Sequence, residues 1–562
     1  MAWLQHHRRT VLVFSVATLW FLPGLWWGLP VNNVTGRMSA WGTDEIGPWG
    51  AVDAILLIVG YPRNEITPQY PLAQFLVQAI FVWPYYLPHL FPSIVDKLGL
   101  PQQQLSVGVL MLLHRLPSLL MAAGTVAAAF VAACRLAGNA AGWVAAGAVA
   151  TTGPMLYYAR TSNVDVAALF WTALAIVFAV NALREGLTPR RAIAIGLCAG
   201  IGTATKDQQY AFFFGLGLVV VTAALLDRRR SADWSGWWRG PALGLGAAVV
   251  AYLVLSGIAL LPHWFFDKHV RYITRVPDPN IPQPVLALAA VYHSTPATFD
   301  GYLELARNAG SQMLAAVGLP IFVLALAGAA WVARTSRRLF ALLTVPSLCL
   351  ALGVLMPVRL VLPRYLLPMD FVLCLFAGLA IAATARKPGV LRAGAIGVAV
   401  AGIAWGGLRG ADLTYQMLHD SRYEAGDWLA RNVAPGDDVA YFGVPFKLPR
   451  LPAGTVAVAA PGQWTYAYKN RKPATSPPAF LVSIPQLITE PDHEVSILDS
   501  TIQGLNDGSL GYQEVLAIQT PALWTRPMLV ASPVNPPVRI FARSDVVPRL
   551  RDSPRIELPA LH

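Results

Sequence analysis

The hydrophobic pattern changes character once along the chain. Crossing the hydrocarbon core of a bilayer takes about 20 apolar residues, and about eleven runs of that kind precede residue 410. They begin near Val11, Leu105, Ala141, Val164, Ala192, Tyr210, Pro241, Ser311, Leu339, Tyr365 and Ala393, and each predicts a transmembrane helix. The fifth and sixth are separated mainly by Lys206 and Asp207. Two further apolar patches, "AVDAILLIVG" and "PLAQFLVQAIFVWPYYL", are too short or too broken by proline to span; they predict helices lying along the membrane surface.

From about Ala411 the pattern becomes that of a water-soluble domain. "DLTYQMLHDSRYEAGDWLARN" carries apolar residues at helical spacing, and "DDVAYFG", "AFLVSI", "EVLAIQT" and "VRIFARS" predict short strands set off by Pro and Gly turns. The fold class expected is therefore mainly α. A polytopic transmembrane domain over residues 1–408 precedes a soluble α/β domain over 409–562, which at about 150 residues is long enough for a core of its own.

Composition agrees with a membrane protein. The 562 residues are 55% hydrophobic and 13% charged, where soluble domains carry about 25% charged residues. Net charge is +12, yet the basic residues fall in short clusters between apolar runs and form no basic-aromatic stripe. Topology explains them better than nucleic acid does. The four cysteines lie in or beside apolar runs without CxxC or Cys/His spacing, and read as packing residues. The opening "MAWLQHHRRTVLVFSVATLWFLPGLWWG" has the look of a signal peptide, but no small-residue cleavage site follows; it predicts a retained first span.

Basic residues also predict orientation. Arg8 and Arg9 before the first span put the N-terminus in the cytoplasm, and Arg135, "REGLTPRR", "DRRRSADWSGWWRG", "VARTSRR" and "ARKPGVLR" then all fall in cytoplasmic turns. The outer face of the cytoplasmic membrane receives a first loop at 30–104, a second long loop at 262–310, shorter turns, and the C-terminal domain.

An ionisable residue within a span costs at least about 2.5 to 3.5 kcal/mol at the helix centre, which makes it a candidate for function. Asp44 and Glu45 follow the first span, His114 and Arg115 lie in the second, Asp165 opens the fourth, Lys206 stands between the fifth and sixth, and Arg364 opens the tenth. Each has a plainer reading. Lys206 and Arg364 can snorkel to headgroups, Arg115 can bind a backbone carbonyl, Asp165 can sit at a helix N-terminus, and Asp44 can be a loop carboxylate. Their expected convergence on one face favours a site. Basic side chains there would neutralise a lipid phosphate as it leaves, while a carboxylate takes a proton from an incoming hydroxyl or amine.

In order along about 400 residues, "TDE", "YPLAQFLVQ", "HRLPSLLMAAGTVAAAFVAACRLAG", "YYARTSNVDVAALFW", "ATKDQQYAFFFGL" and "RYLLPMDFVLCLFAGLA" resemble the GT-C glycosyltransferases. The branch they resemble is the protein O-mannosyltransferase and aminoarabinose-transferase-like group. "DSRYEAGDWLARNVAPGDDVAYFG" is similar to the periplasmic C-terminal domain of bacterial members. The resemblance implies transfer of a hexosyl or pentosyl group, with inversion, from a polyprenyl-phosphate donor to a lipid, glycan or protein acceptor outside the cytoplasmic membrane. It implies Asp44 as general base with Glu45 beside it, and Asp165 orienting a substrate. Arg115, Lys206 and Arg364 would hold the donor phosphate. His114, Tyr70 and Tyr365 would border the acceptor or the loop, Tyr70–Pro71 falling where the family has an aromatic-proline motif with a second proline.

The stretch 262–300 holds His263, Asp267, His269, Asp278, His293 and Asp300, and leaves open a divalent cation; it reads equally well as a lid over the donor. No metal site is assigned from it, since Arg and Lys alone can neutralise a phosphate. Two other functions fit the composition: a flippase of lipid-linked sugars, which predicts inverted repeats and broken helices at mid-membrane, and a non-catalytic assembly protein.

Overall fold

In the computed structural model, the residues described are 2–31, 40–42, 44–61, 69–90, 105–231, 238–271, 295–384, 389–442, 448–452, 456–459, 477–484, 499–524, 534–552 and 555–557. The chain divides into two compact units. One comprises Met1–Leu25, Trp49–Phe91 and Leu113–Gly410; the other comprises Trp26–Pro48, Pro92–Leu112 and Ala411–His562. The second unit thus takes in stretches that the hydrophobic pattern groups with the first outer loop.

The first unit is helical, and the chain is a multi-pass membrane protein. Among the described residues six helices are long and apolar enough to cross a membrane: Val107–Ala137, Val164–Glu185, Gln209–Asp227, Arg337–Val358, Pro363–Thr384 and a run over Gly389–Asn432. Every one of the expected runs is helical, but they differ in length. Ala2–Phe21 has 20 residues, Asn139–Ala150 has 12, and Pro189–Thr205 and Arg239–Leu255 have 17 each. The run expected from Ser311 is two helices, Phe299–Val317 and Leu319–Thr335, bent by 111°. Gly318 makes the corner at φ +78°, a conformation costly to residues with a Cβ, and Pro320 starts the next helix where its missing N–H is not needed.

Lipid-like surroundings give helices no hydrophobic reason to associate, so close backbone approach has to supply the attraction. Pro189–Thr205 and Arg239–Leu255 pack this way: a Cβ on Gly196 would overlap the carbonyl of Gly244. The two shorter apolar patches are helical too, as Gly50–Ile58 and Ala73–Leu90, the latter holding Pro84 and Pro88. All four cysteines are free and lie in helices.

The second unit contains a six-stranded mixed sheet in the order β2-β1-β3-β5-β4-β6. The strands are β1 Asp438–Phe442, β2 Val456–Ala459, β3 Phe480–Ser483, β4 Tyr512–Ile518, β5 Val538–Arg543 and β6 Arg555–Glu557. β1 runs parallel to β2 and β3, β5 is antiparallel to β3 and β4, and β6 is parallel to β4. Both faces are covered, which is why these strands read as nearly continuous apolar runs rather than alternating ones. Val439, Tyr441, Phe480, Val482, Val538 and Ile540 pack with Ala425, Trp428 and Leu429 of the helix Ser421–Asn432. Ala440, Leu481 and Phe541 pack on the other side with Leu505, from the helix Asp499–Asn506.

Candidate functional site

Four of the residues expected to carry chemistry meet within the first unit. Asp165 lies in the first turn of Val164–Glu185, which begins after Asn163 in extended backbone, so its carboxylate sits where the exposed amides and dipole of the helix favour negative charge. Lys206 ends Pro189–Thr205; its own backbone turns extended (φ −151°, ψ 112°) and breaks the apolar run before Gln209 opens the next helix. Lys206 Nζ is 2.5 Å from Asp165 Oδ1, with both side chains buried. Burying either charge without a partner would cost several kcal/mol, in practice about 3–5 when one member of such a pair is removed. Thr172, on the helix that carries Asp165, donates to Gln209 Oε1 at 3.3 Å, at the start of the helix that follows Lys206.

Arg364 and Tyr365 stand at the start of Pro363–Thr384, with proline in the first helical position. The Tyr365 ring has Lys206 Nζ 4.8 Å and Arg364 Cζ 5.5 Å from its centroid. A ring face attracts cations through its quadrupole, and one ring within about 6 Å of two cations brings them near each other despite their charge. Arg364 and Tyr365 are 8% and 7% exposed. A pair of cations held this way in an apolar bundle is a place for an anion, with Asp165 fixing the ammonium.

His114 and Arg115 serve the backbone. His114 Nε2 accepts a hydrogen bond from Ala51 N–H at 3.1 Å, at the start of Gly50–Ile58. Gln78 donates to the carbonyls of His114 and Ser162 at 3.3 and 3.4 Å. Arg115 Nη1 donates to the Leu25 carbonyl at 2.7 Å and is wholly buried. Arg160, within the quoted "ARTSNVD" but not singled out in the sequence, does the same work one turn away. It donates to Phe21, Leu156 and Trp20 carbonyls at 3.2, 2.7 and 3.4 Å, closing the end of the first helix. The signal that could have found it is an arginine beside an apolar stretch, as Arg115 is within one.

Tyr70 is half-buried just before Ala73–Leu90. The stretch 262–300 divides its would-be ligands. His263 and Asp267 face outward, 3.7 Å apart, on a short helix that runs into a π-helical turn, Phe265–Val270. His269 turns inward, stacked on Trp264, with Nε2 3.0 Å from Asp207 Oδ2. Asp300 opens Phe299–Val317, while Asp278 and His293 lie outside the described residues. No group of three or more His, Cys, Asp or Glu side chains fit to hold a metal occurs among the described residues.

Asp44 and Glu45 belong to the second unit. Asp44 is half-buried with φ +58°, a left-handed conformation in which Asp is one of the few tolerated residues with a side chain. The Glu45 carboxylate folds back on Gly42, where a Cβ would overlap it. The two neighbouring carboxylates are thus held differently.

No family model matches the chain, and no curated protein matches it. Solved structures do. ArnT from Cupriavidus metallidurans in the apo state is 15% identical, with 96% of this chain and 99% of that one covered and a TM-score of 0.47. The same protein bound to undecaprenyl phosphate is 16% identical, over 95% and 98%, with a TM-score of 0.46. An oligosaccharyltransferase from Archaeoglobus fulgidus, in complex with zinc and sulfate, is 14% identical over 84% and 68%, with a TM-score of 0.42.

Proposed function

We propose that the chain is a membrane glycosyltransferase that takes a sugar from a polyprenyl-phosphate donor at the outer face of the cytoplasmic membrane and passes it to a lipid, glycan or protein acceptor. The observation that carries the reading is the gathering of Lys206 and Arg364 on the Tyr365 ring, with Asp165 holding Lys206. A lipid phosphate is the anion that an apolar bundle presents most readily, and two cations compensate the charge it develops as a leaving group.

The step is a single displacement. A lone pair on the acceptor oxygen or nitrogen attacks the anomeric carbon, the bond from that carbon to the phosphate oxygen breaks, and the electron pair leaves with the polyprenyl phosphate toward Lys206 and Arg364. The proton lost by the acceptor goes to the Asp44 carboxylate, an assignment that rests on the "TDE" resemblance and the unusual backbone of Asp44. Attack opposite the leaving group inverts the anomeric centre. Glu45 supports Asp44, Asp165 fixes the phosphate-binding ammonium, and Tyr365 aligns the cations. His114, Arg115 and Arg160 hold the surrounding backbone.

The test is a comparison of glycolipids and glycoproteins from cells with the gene intact and deleted. Loss of one sugar-bearing product on deletion, restored by the wild-type gene and not by a Lys206→Met/Arg364→Met copy, is the expected result. Identical glycan profiles in all four strains would overturn it.

A further inference from the structure

Asp44 lies in a short segment, Trp26–Pro48, that belongs to the same compact unit as residues 411–562. The attachment is specific. Asp420 caps the helix Ser421–Asn432, accepting from Arg422 N–H at 3.0 Å, and grips the Arg422 guanidinium with both oxygens, Nε to Oδ1 at 2.8 Å and Nη2 to Oδ2 at 2.7 Å. Its Oδ2 also accepts from Trp27 Nε1 at 2.9 Å and Asn535 N–H at 2.8 Å. The guanidinium lies over two rings from the segment, 4.0 Å from the Trp41 centroid and 5.5 Å from that of Trp27. Trp27, Trp41 and Arg422 are each 0% exposed.

The segment is bonded elsewhere as well. Trp41 Nε1 donates to the Leu448 carbonyl at 3.0 Å, Gly28 N–H to the Tyr423 hydroxyl at 2.9 Å, and Trp41 N–H to the Gly28 carbonyl at 3.1 Å. Trp41 packs on Tyr423 with centroids 4.8 Å apart. Three residues after this fixed indole the chain enters the left-handed conformation at Asp44. Such a conformation on a residue with a Cβ persists where neighbouring structure holds it.

We infer that Arg422 is a positioning residue for the general base: gripped by Asp420 and stacked on Trp27 and Trp41, it locks the backbone on either side of Asp44. The inference rests on the reading of Asp44 as base. A planar guanidinium suits the task because it makes a two-pronged bond to a carboxylate while both faces remain free to stack, which an ammonium cannot do.

The experiment uses the full-length purified protein. Hydrogen exchange is followed at Trp27–Leu29 and Ala40–Ile46, with β4 and β5 as internal controls, in wild type, Arg422→Ala, Arg422→Lys and Trp41→Phe. Steady-state transfer is measured in the same variants and in an Asp44→Asn background. Arg422→Lys should speed exchange in the segment more than about tenfold, leave the two strands unchanged, and lower kcat about 10- to 100-fold with donor KM within twofold. In the Asp44→Asn background it should cost nothing further, since the two residues then act as one. Trp41→Phe, which keeps the charge pair, should show a smaller effect of the same kind should the arginine variants fail to fold. Unchanged exchange overturns the clamp whatever Asp44 does; faster exchange with unchanged kcat overturns the positioning role. Wild-type turnover in Asp44→Asn alone overturns the base, and the exchange data still report on the clamp separately.

Discussion

Lys206 Nζ and Asp165 Oδ1 are 2.5 Å apart, joining the end of one helix to the first turn of another. The pair is both a support and a chemical group, and the two roles come apart on mutation. Lys206→Met alone leaves a buried carboxylate uncompensated and should lower stability by about 3–5 kcal/mol. The double change Lys206→Met/Asp165→Leu removes both charges and should recover most of that loss, because replacing a buried pair by apolar side chains is often neutral. It should not recover transfer. Thermal unfolding and donor titration in the three proteins check this; a double variant with wild-type donor KM would remove Lys206 from phosphate binding.

Asp44→Asn keeps size and removes the base. Turnover should fall by about 10²- to 10⁴-fold, the range for general acid–base catalysis, with donor KM little changed. A folded Asp44→Asn protein that transfers sugar at the wild-type rate would falsify the assignment. Glu45→Gln should have a smaller effect, its carboxylate being turned back against Gly42.

Arg115 tests the boundary between support and site. Its guanidinium donates to the Leu25 carbonyl at 2.7 Å, a bond to a charged donor that contributes about 1.5–3 kcal/mol. Arg115→Gln should therefore lower the unfolding temperature while leaving donor KM within twofold. A tenfold rise in donor KM at unchanged stability would return Arg115 to the phosphate-binding set that the sequence resemblance implies.

The second unit should weaken in acid. The side-chain bond from Arg543 holds the Asp545 carboxyl below the usual carboxylate range, and that from Arg431 does the same for Asp552. A depressed folded value means that the stabilisation is complete above the unfolded value of about 4 and is lost as pH falls through the folded one. Hydrogen-exchange protection in β4 and β5, taken relative to the intrinsic amide rate at each pH, should fall modestly below about pH 4. The Asp545→Asn/Asp552→Asn protein should show a shallower dependence there, since neither group remains to be protonated. An identical dependence in the two proteins would mean that other carboxylates set it.

Periodicity alone determined that each expected apolar run is helical and that β1, β3, β4 and β5 fall on the four runs rich in β-branched and aromatic residues, because solvent contrast imposes those patterns residue by residue. β2 and β6, four and three residues long, carry too little pattern to stand out. The candidate chemistry was legible as ionisable residues in apolar surroundings, whose desolvation cost marks them wherever they end up. Tertiary structure decided which of them share a ring, a carbonyl or a carboxylate. It gathered Lys206, Asp165, Arg364 and Tyr365, gave Arg115 and Arg160 to backbone carbonyls, turned His269 to Asp207 and bent the chain at Gly318. It also joined Trp27 and Trp41 to Arg422, nearly four hundred positions on. These are contacts between residues remote in sequence, and their energies depend on distances that no local pattern records.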